Sequence, residues 1–208
     1  GMTDRGATEL AVIDEVLADA AGAHGVPGAV AGVLRGDAMH VAAHGVGNAE
    51  LPRPVDGDTL FQVGSISKTF VSAALMILVE QGRLTLEDPV ARHLPTLGPA
   101  TGLDTEAMTV AHTISHRTGF DGDHLLVFGG DAGLDALADA RRFFAPGDGF
   151  SYSNAGFSIA GAVLAAVAGR PFEAVIRELL LRPLGMDAAG FRADWEITRD
   201  VAAPHWVF

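Results

Sequence analysis

The chain has 208 residues, 49% of them apolar and 19% charged, with 14 basic and 26 acidic side chains, a net charge of −12 and no cysteine. That is enough chain for one domain or two small ones around a real core, and too apolar a mix for disorder. The negative charge disfavours nucleic acid and anionic membrane partners, and the missing cysteine excludes disulfides, thiolate catalysis and cysteine-held metals.

Residues 3–9 lack the basic flank and apolar run of a secretory signal, and the apolar stretches 70–79 and 159–168 are too short to span a bilayer. A soluble, cytoplasmic chain is the expectation. Residues 9–23 follow a helical period with Leu10, Ile13, Val16 and Leu17 on one face, and end at Gly25-Val26-Pro27-Gly28. Residues 29–34 and 39–46 read as two strands joined by an Arg35-Gly36-Asp37 turn, a hairpin. Residues 48–59 read as a loop, and a helix runs from Ser65 or Ile66 to Gln81, stopped by Gly82. Pro89, Pro95 and Pro99 break the next stretch into turns and short helices. A short helix over 109–116 stops near Gly119, and Asp121, Asp123, His124 and Asp131 then form an acidic loop that reads as solvated surface. Helices are expected over 134–143, 155–168 and 172–181, closed by Pro146-Gly147, Gly169 and Pro183. After the hairpin nearly everything is helix or loop, and two strands alone make a poor sheet with open edges.

Two short patterns carry chemistry. Ser65 precedes a helix, and Lys68 lies one turn along the same face. A hydroxyl there can be deprotonated by the neighbouring amine, with the helix N-terminus stabilising the charge that develops. The competing role for Ser65 is a plain N-cap. Lys68 argues against it, because a capping box calls for Glu or Gln at that position and a cation there faces the positive end of the dipole. Tyr152, the one tyrosine of the chain, and Asn154 are two apart in an extended run, so they point the same way. A phenol can pass a proton between nucleophile and leaving group, and an amide can hold a substrate carbonyl. Asn154 is also well placed to cap the following helix.

The flanks make these patterns specific. Phe61-Gln62-Val63-Gly64-Ser65-Ile66-Ser67-Lys68-Thr69-Phe70 closely resembles the nucleophile motif of class C β-lactamases and related esterases and D-peptidases. The segments 80–90, 114–120, 144–157 and 182–186 are similar to what that family shows in the same order. The chain is thus identified as a member of the serine β-lactamase and penicillin-binding-protein-like family over residues 9–204. The resemblance implies an α/β (α+β) fold of β-lactamase/transpeptidase type, here a mainly helical portion plus an N-terminal β-hairpin. Residues 1–64 would belong to the α/β domain, and 65–208 would form the nucleophile helix and helical domain. It also implies a serine hydrolase with Ser65 as nucleophile, Lys68 and Tyr152 moving protons, and Asn154 positioning the substrate. Which of Lys68 and Tyr152 is the base stays open. Amides, β-lactams, D-peptides and small esters are the substrate classes implied, and no cofactor or metal is.

The family's third motif, Lys-Thr-Gly or His-x-Gly on a late strand, does not occur after Tyr152, so most of the antiparallel sheet is expected to be missing. A fragment is the favoured explanation, and the absence of the third motif leaves open whether the chain alone is active. The others are a short form completed by a second chain or by self-association, and a homologue that binds without turning over. The alternative function is accordingly a non-catalytic binding or assembly module on the same scaffold. His112 and His116 are four apart and could face one metal, but no third ligand is evident. Trp195 and Trp206 are expected to pack rather than to line a site.

Overall fold

A computed structural model describes residues 4–121, 134–191 and 200–203. The acidic-loop residues Asp123, His124 and Asp131, and both Trp195 and Trp206, lie outside the described residues. The chain divides into two compact units, residues 1–62 with 193–208, and residues 63–192.

In the first unit, helix α1 (Asp4–His24) packs on an antiparallel hairpin of β1 (Gly28–Arg35) and β2 (Ala38–Gly45). The hairpin closes with a two-residue loop, because Arg35 pairs with Ala38 and Gly36 takes φ 60° at the first loop position. The inward stripe of α1 is Ile13, Leu17 and Ala21, whereas Val16 is 60% exposed and turns away from it. A helix on a two-stranded sheet covers a narrower stripe than the sequence pattern offers. Asp14 of α1 holds His40 of β2 at 2.8 Å. At the base of the hairpin Gly28 faces Gly45, and a Cβ on Gly28 would lie 2.3 Å from the Val46 carbonyl oxygen. The chain passes too closely there for any side chain.

The second unit is helical. A 3₁₀ turn (Gly64–Ile66) leads into α2 (Ser67–Glu80), and short helices α3 (Val90–His93), α4 (Leu97–Thr101) and α5 (Val110–Ile114) follow. Helix α6 (Asn154–Ala168) forms the centre, and α7 (Phe172–Ile176) continues as a π turn (Arg177–Leu181). Across Gly169–Pro171 the direction changes by 75°. Ile159, Ala160, Val163 and Leu164 of α6 are fully buried with Ala74, Leu75 and Leu78 of α2. Small residues bring the helices close: a Cβ on Gly156 would lie 3.1 Å from the Thr113 carbonyl oxygen at the end of α5. The region expected as a helix over 134–143 is a 3₁₀ helix only over Leu134–Asp139. Residues beyond it pair instead with the strand-like run after Gly119, through Asp121 N to Arg141 O and Phe143 N to Gly119 O. Among the described residues no single helix is long and apolar enough to cross a membrane.

Asp88 ties the loop between α2 and α3. Its carboxylate is 6% exposed and accepts from the Thr85 amide and hydroxyl, from Arg92 at 2.8 Å and from His93 at 2.9 Å. Burial alone would raise its pKa, but these donors and the Arg92 charge outweigh it and leave the carboxyl at about 2, against an ordinary 3.8. A group whose pKa is depressed by folding contributes stability above its unfolded value and loses it as pH falls towards its folded one. The melting temperature of the wild type should therefore fall between about pH 4 and pH 2, and Asp88→Asn should flatten that acid limb. At neutral pH the same variant should be less stable by about 2–3 kcal/mol, since His93 and Arg92 lose a buried charged acceptor. Melting curves from pH 2 to 7 on both proteins check this.

Candidate active site

All four residues singled out in the sequence lie in the second unit. Ser65 is the middle residue of the 3₁₀ turn, entered through Gly64 at φ 52°, a value glycine adopts without a Cβ penalty. Lys68 is the second residue of α2, one turn on, and donates from Nζ to Ser65 Oγ at 3.1 Å. The helix spacing brings these two together with no help from the rest of the fold. Ser65 is not a cap: the N-cap position of α2 is Ile66, which has no capping side chain.

The second pair arrives from far along the chain. After the Pro146-Gly147-Asp148-Gly149 turn, residues 150–153 lead into α6 without regular secondary structure, and Ser153 is extended at φ −142° and ψ 125°. Ser151 Oγ donates to the Phe120 carbonyl at 2.7 Å, and Ser153 Oγ accepts from the Gly156 amide at 3.1 Å, capping α6. Ser153, not Asn154, is the cap. That frees the amide of Asn154, whose Oδ1 accepts from Lys68 Nζ at 2.7 Å. The Tyr152 hydroxyl donates to Ser65 Oγ at 2.6 Å, and Lys68 Nζ sits 4.9 Å from the Tyr152 ring centre and 5.6 Å from that of Phe157. Ser65, Lys68, Tyr152 and Asn154 thus form one hydrogen-bonded cluster, with the serine exposed and the lysine half-buried.

Hydrogen bonding from Lys68, then from Ser65, together with the lysine charge, holds the Tyr152 phenol below its ordinary range, against a smaller opposing effect of burial. A hydroxyl within 2.6 Å of such a phenol has a proton acceptor in reach. The arrangement also contains a histidine that spacing did not single out as part of this site. His116 stacks on Tyr152 with ring centres 4.3 Å apart and planes 27° apart. The resemblance of segment 114–120 pointed to the segment, and only the contact shows what its histidine touches.

His112 and His116 each accept a backbone hydrogen bond at Nδ1. His112 Nδ1 accepts from the Thr109 amide at 3.2 Å while Thr109 Oγ1 accepts from the His112 amide at 3.3 Å, a reciprocal cap on α5. His116 Nδ1 accepts from the Ser153 amide at 3.0 Å. Burial first, then the nearby charge of Arg117 or of Lys68 respectively, holds each imidazole below its ordinary pKa.

A family model described as Beta-lactamase matches residues 13–206. The chain is 35% identical over 205 residues to esterase EstB of Burkholderia gladioli, covering 89% of this chain and 52% of that protein. It is 33% identical over 168 residues to penicillin-binding protein 4 of Amycolatopsis lactamdurans, covering 78% of this chain and 44% of the relative. The chain therefore spans about half the length of the curated relatives it matches. Among solved structures, a class C beta lactamase superposes with a TM-score of 0.80 at 24% identity, over 97% of this chain and 56% of the other. A D-amino acid amidase from Ochrobactrum anthropi, complexed with L-phenylalanine amide, gives 0.73 at 26% identity over 86% and 52%. The fold is the β-lactamase/transpeptidase type, with a two-stranded sheet among the described residues.

Proposed function

The chain belongs to the beta-lactamase family, and from that premise we propose that it is a serine hydrolase that forms an acyl-enzyme on Ser65. The observation that carries the reading is the single cluster in which Ser65 Oγ receives hydrogen bonds from both Lys68 and Tyr152. A capping or packing serine has no use for a lysine and a phenol on one oxygen.

In this reading the Tyr152 phenol, held below its ordinary pKa beside Lys68, first loses its proton to solvent, and the phenolate then takes the Ser65 proton as Oγ attacks the substrate carbonyl. Lys68 keeps its ammonium beside the phenolate, and Asn154 fixes it there through the 2.7 Å bond. The Ser65 N–H, in the first turn of the helical segment, supplies a donor to the oxyanion that forms. Collapse of the tetrahedral intermediate expels the leaving group, which takes the proton from Tyr152, and leaves an ester on Ser65. Water then attacks that ester by the same proton path in reverse. The relatives' names point to esters, β-lactams and D-amino acid amides as substrates, so the substrate proposed is a compact acyl donor of one of these kinds. The test is intact-protein and peptide mass spectrometry after incubation with a p-nitrophenyl ester and with a fluorescent penicillin. The expected result is an acyl mass on the peptide holding Ser65. A folded chain that takes up no acyl mass from either donor overturns the reading and leaves a non-catalytic module.

A further inference from the structure

We propose that His116 is the positioning residue for the Tyr152 phenol, holding it on Ser65; this rests on the hydrolase reading above. Tyr152 is 43% exposed, so burial does not confine its ring. Beside the Ser65 bond and the Lys68 contact, one residue holds it from several sides. The His116 carbonyl oxygen accepts from the Ser151 amide at 2.9 Å, and His116 Nδ1 accepts from the Ser153 amide at 3.0 Å. These two bonds straddle Tyr152 in the chain. Between them the imidazole stacks on the phenol ring at 4.3 Å. Phe157 at 5.1 Å and Phe150 at 5.7 Å flank the imidazole in turn and keep its plane from swinging.

The backbone supports a dedicated role. His116 has φ 58°, alone among the described non-glycine residues in the left-handed region. Glycine or asparagine takes that conformation with less strain. A histidine held there by neighbours on both sides is the kind of local cost that surrounding structure maintains at functional sites. The chemistry fits: with Nδ1 accepting from an amide, the neutral ring carries its proton on Nε2. Protonating Nδ1 would remove the acceptor for Ser153 and place a second cation near Lys68. His116 thus works as a neutral ring, touching Tyr152 and not the substrate.

Tyr152 is the only tyrosine among these 208 residues, so tyrosinate absorbance of this chain titrates this phenol alone. The groups facing it are Lys68, Ser65 and His116. Two variants separate the parts of the contact. His116→Asn keeps an acceptor for the Ser153 amide and relieves the backbone, but loses the ring. His116→Phe keeps the ring and loses the acceptor. The asparagine variant should unfold at the wild-type temperature or above, yet its Tyr152 titration should move up towards the free phenol value of about 10. Its acylation rate should drop about tenfold or more with KM unchanged, since a misplaced proton acceptor slows chemistry more than binding. The phenylalanine variant should shift Tyr152 less than the asparagine variant does. If both variants titrate Tyr152 as the wild type does, the phenol is held without His116 and the proposal fails. If the titration shifts but no variant or wild type is acylated, the positioning role stands and the hydrolase reading fails.

Discussion

Ser65→Ala and Lys68→Met should each remove nearly all acyl transfer, and the double variant should be hardly slower than either single one. The physical reason is that these side chains act on one oxygen. Lys68 Nζ lies 3.1 Å from Ser65 Oγ and 2.7 Å from Asn154 Oδ1, so a neutral thioether takes away the charge that favours the phenolate and leaves the asparagine without its donor. Proton transfer by a positioned group contributes about 10²–10⁴ in rate, and without the lysine charge Tyr152 loses the form that makes that transfer, so the Lys68→Met rate should fall by up to that factor. Without the serine no covalent intermediate forms at all, and what remains is polarisation by the surrounding donors. Groups that work as a unit lose their effect together, so the combined loss is far below the product of the separate ones. Single-turnover release of p-nitrophenol from an activated ester measures all three variants. Losses that multiplied would mean that the lysine acts on a step other than the attack by Ser65. The wild-type rate should also rise with pH up to the titration of Tyr152, which lies below the ordinary phenol range.

Gly119→Ala should be the most damaging single methyl group in the second unit. Gly119 has φ 85°, and a Cβ there would sit 2.1 Å from the Phe144 carbonyl oxygen, inside any permitted contact. Its own carbonyl accepts from the Phe143 amide at 2.8 Å, so neither chain can withdraw without breaking that bond. Phe120 beside it is fully buried, and its carbonyl accepts from Ser151 Oγ at 2.7 Å, one residue before Tyr152. The expected cost is about 3–5 kcal/mol, combining left-handed strain with a clash in packed surroundings. In a chain of this size that lowers the melting temperature by about 10–15 °C. Gly169→Ala is the matched control. It shares the left-handed backbone, at φ 69°, but a Cβ there meets nothing within 4 Å, so the strain alone costs about 1–2 kcal/mol. Equal melting temperatures for the two variants would show that the 119–144 crossing relaxes freely.

Local rules settled what is local. The Ser65–Lys68 pair was legible because residues three apart on a helix share a face, and the same side of Tyr152 and Asn154 was legible because extended backbone alternates. The hairpin and the ends of α2 and α6 followed from glycines that the structure holds at φ 60°, 67° and 69°. The cap of α6 was not decided by the sequence. Ser153 and Asn154 are both good caps by propensity, and the choice fell to Ser153 because Lys68, 86 residues away, takes the Asn154 amide. The helix expected over 134–143 gave way after Asp139 for a similar reason, as residues 141 and 143 found backbone partners at 121 and 119.

The sequence by itself therefore determined the family, the four cluster residues, the Ser65–Lys68 pair and the shared side of Tyr152 and Asn154. It could not state that Tyr152 reaches Ser65 across 87 positions, nor that His116 lies beneath the phenol in a strained conformation. Those contacts join segments distant along the chain, and their geometry comes from the packing of α2, α5 and α6 around small residues such as Gly156. Spacing reports the faces of one element. Only the close approach of several elements decides which faces meet.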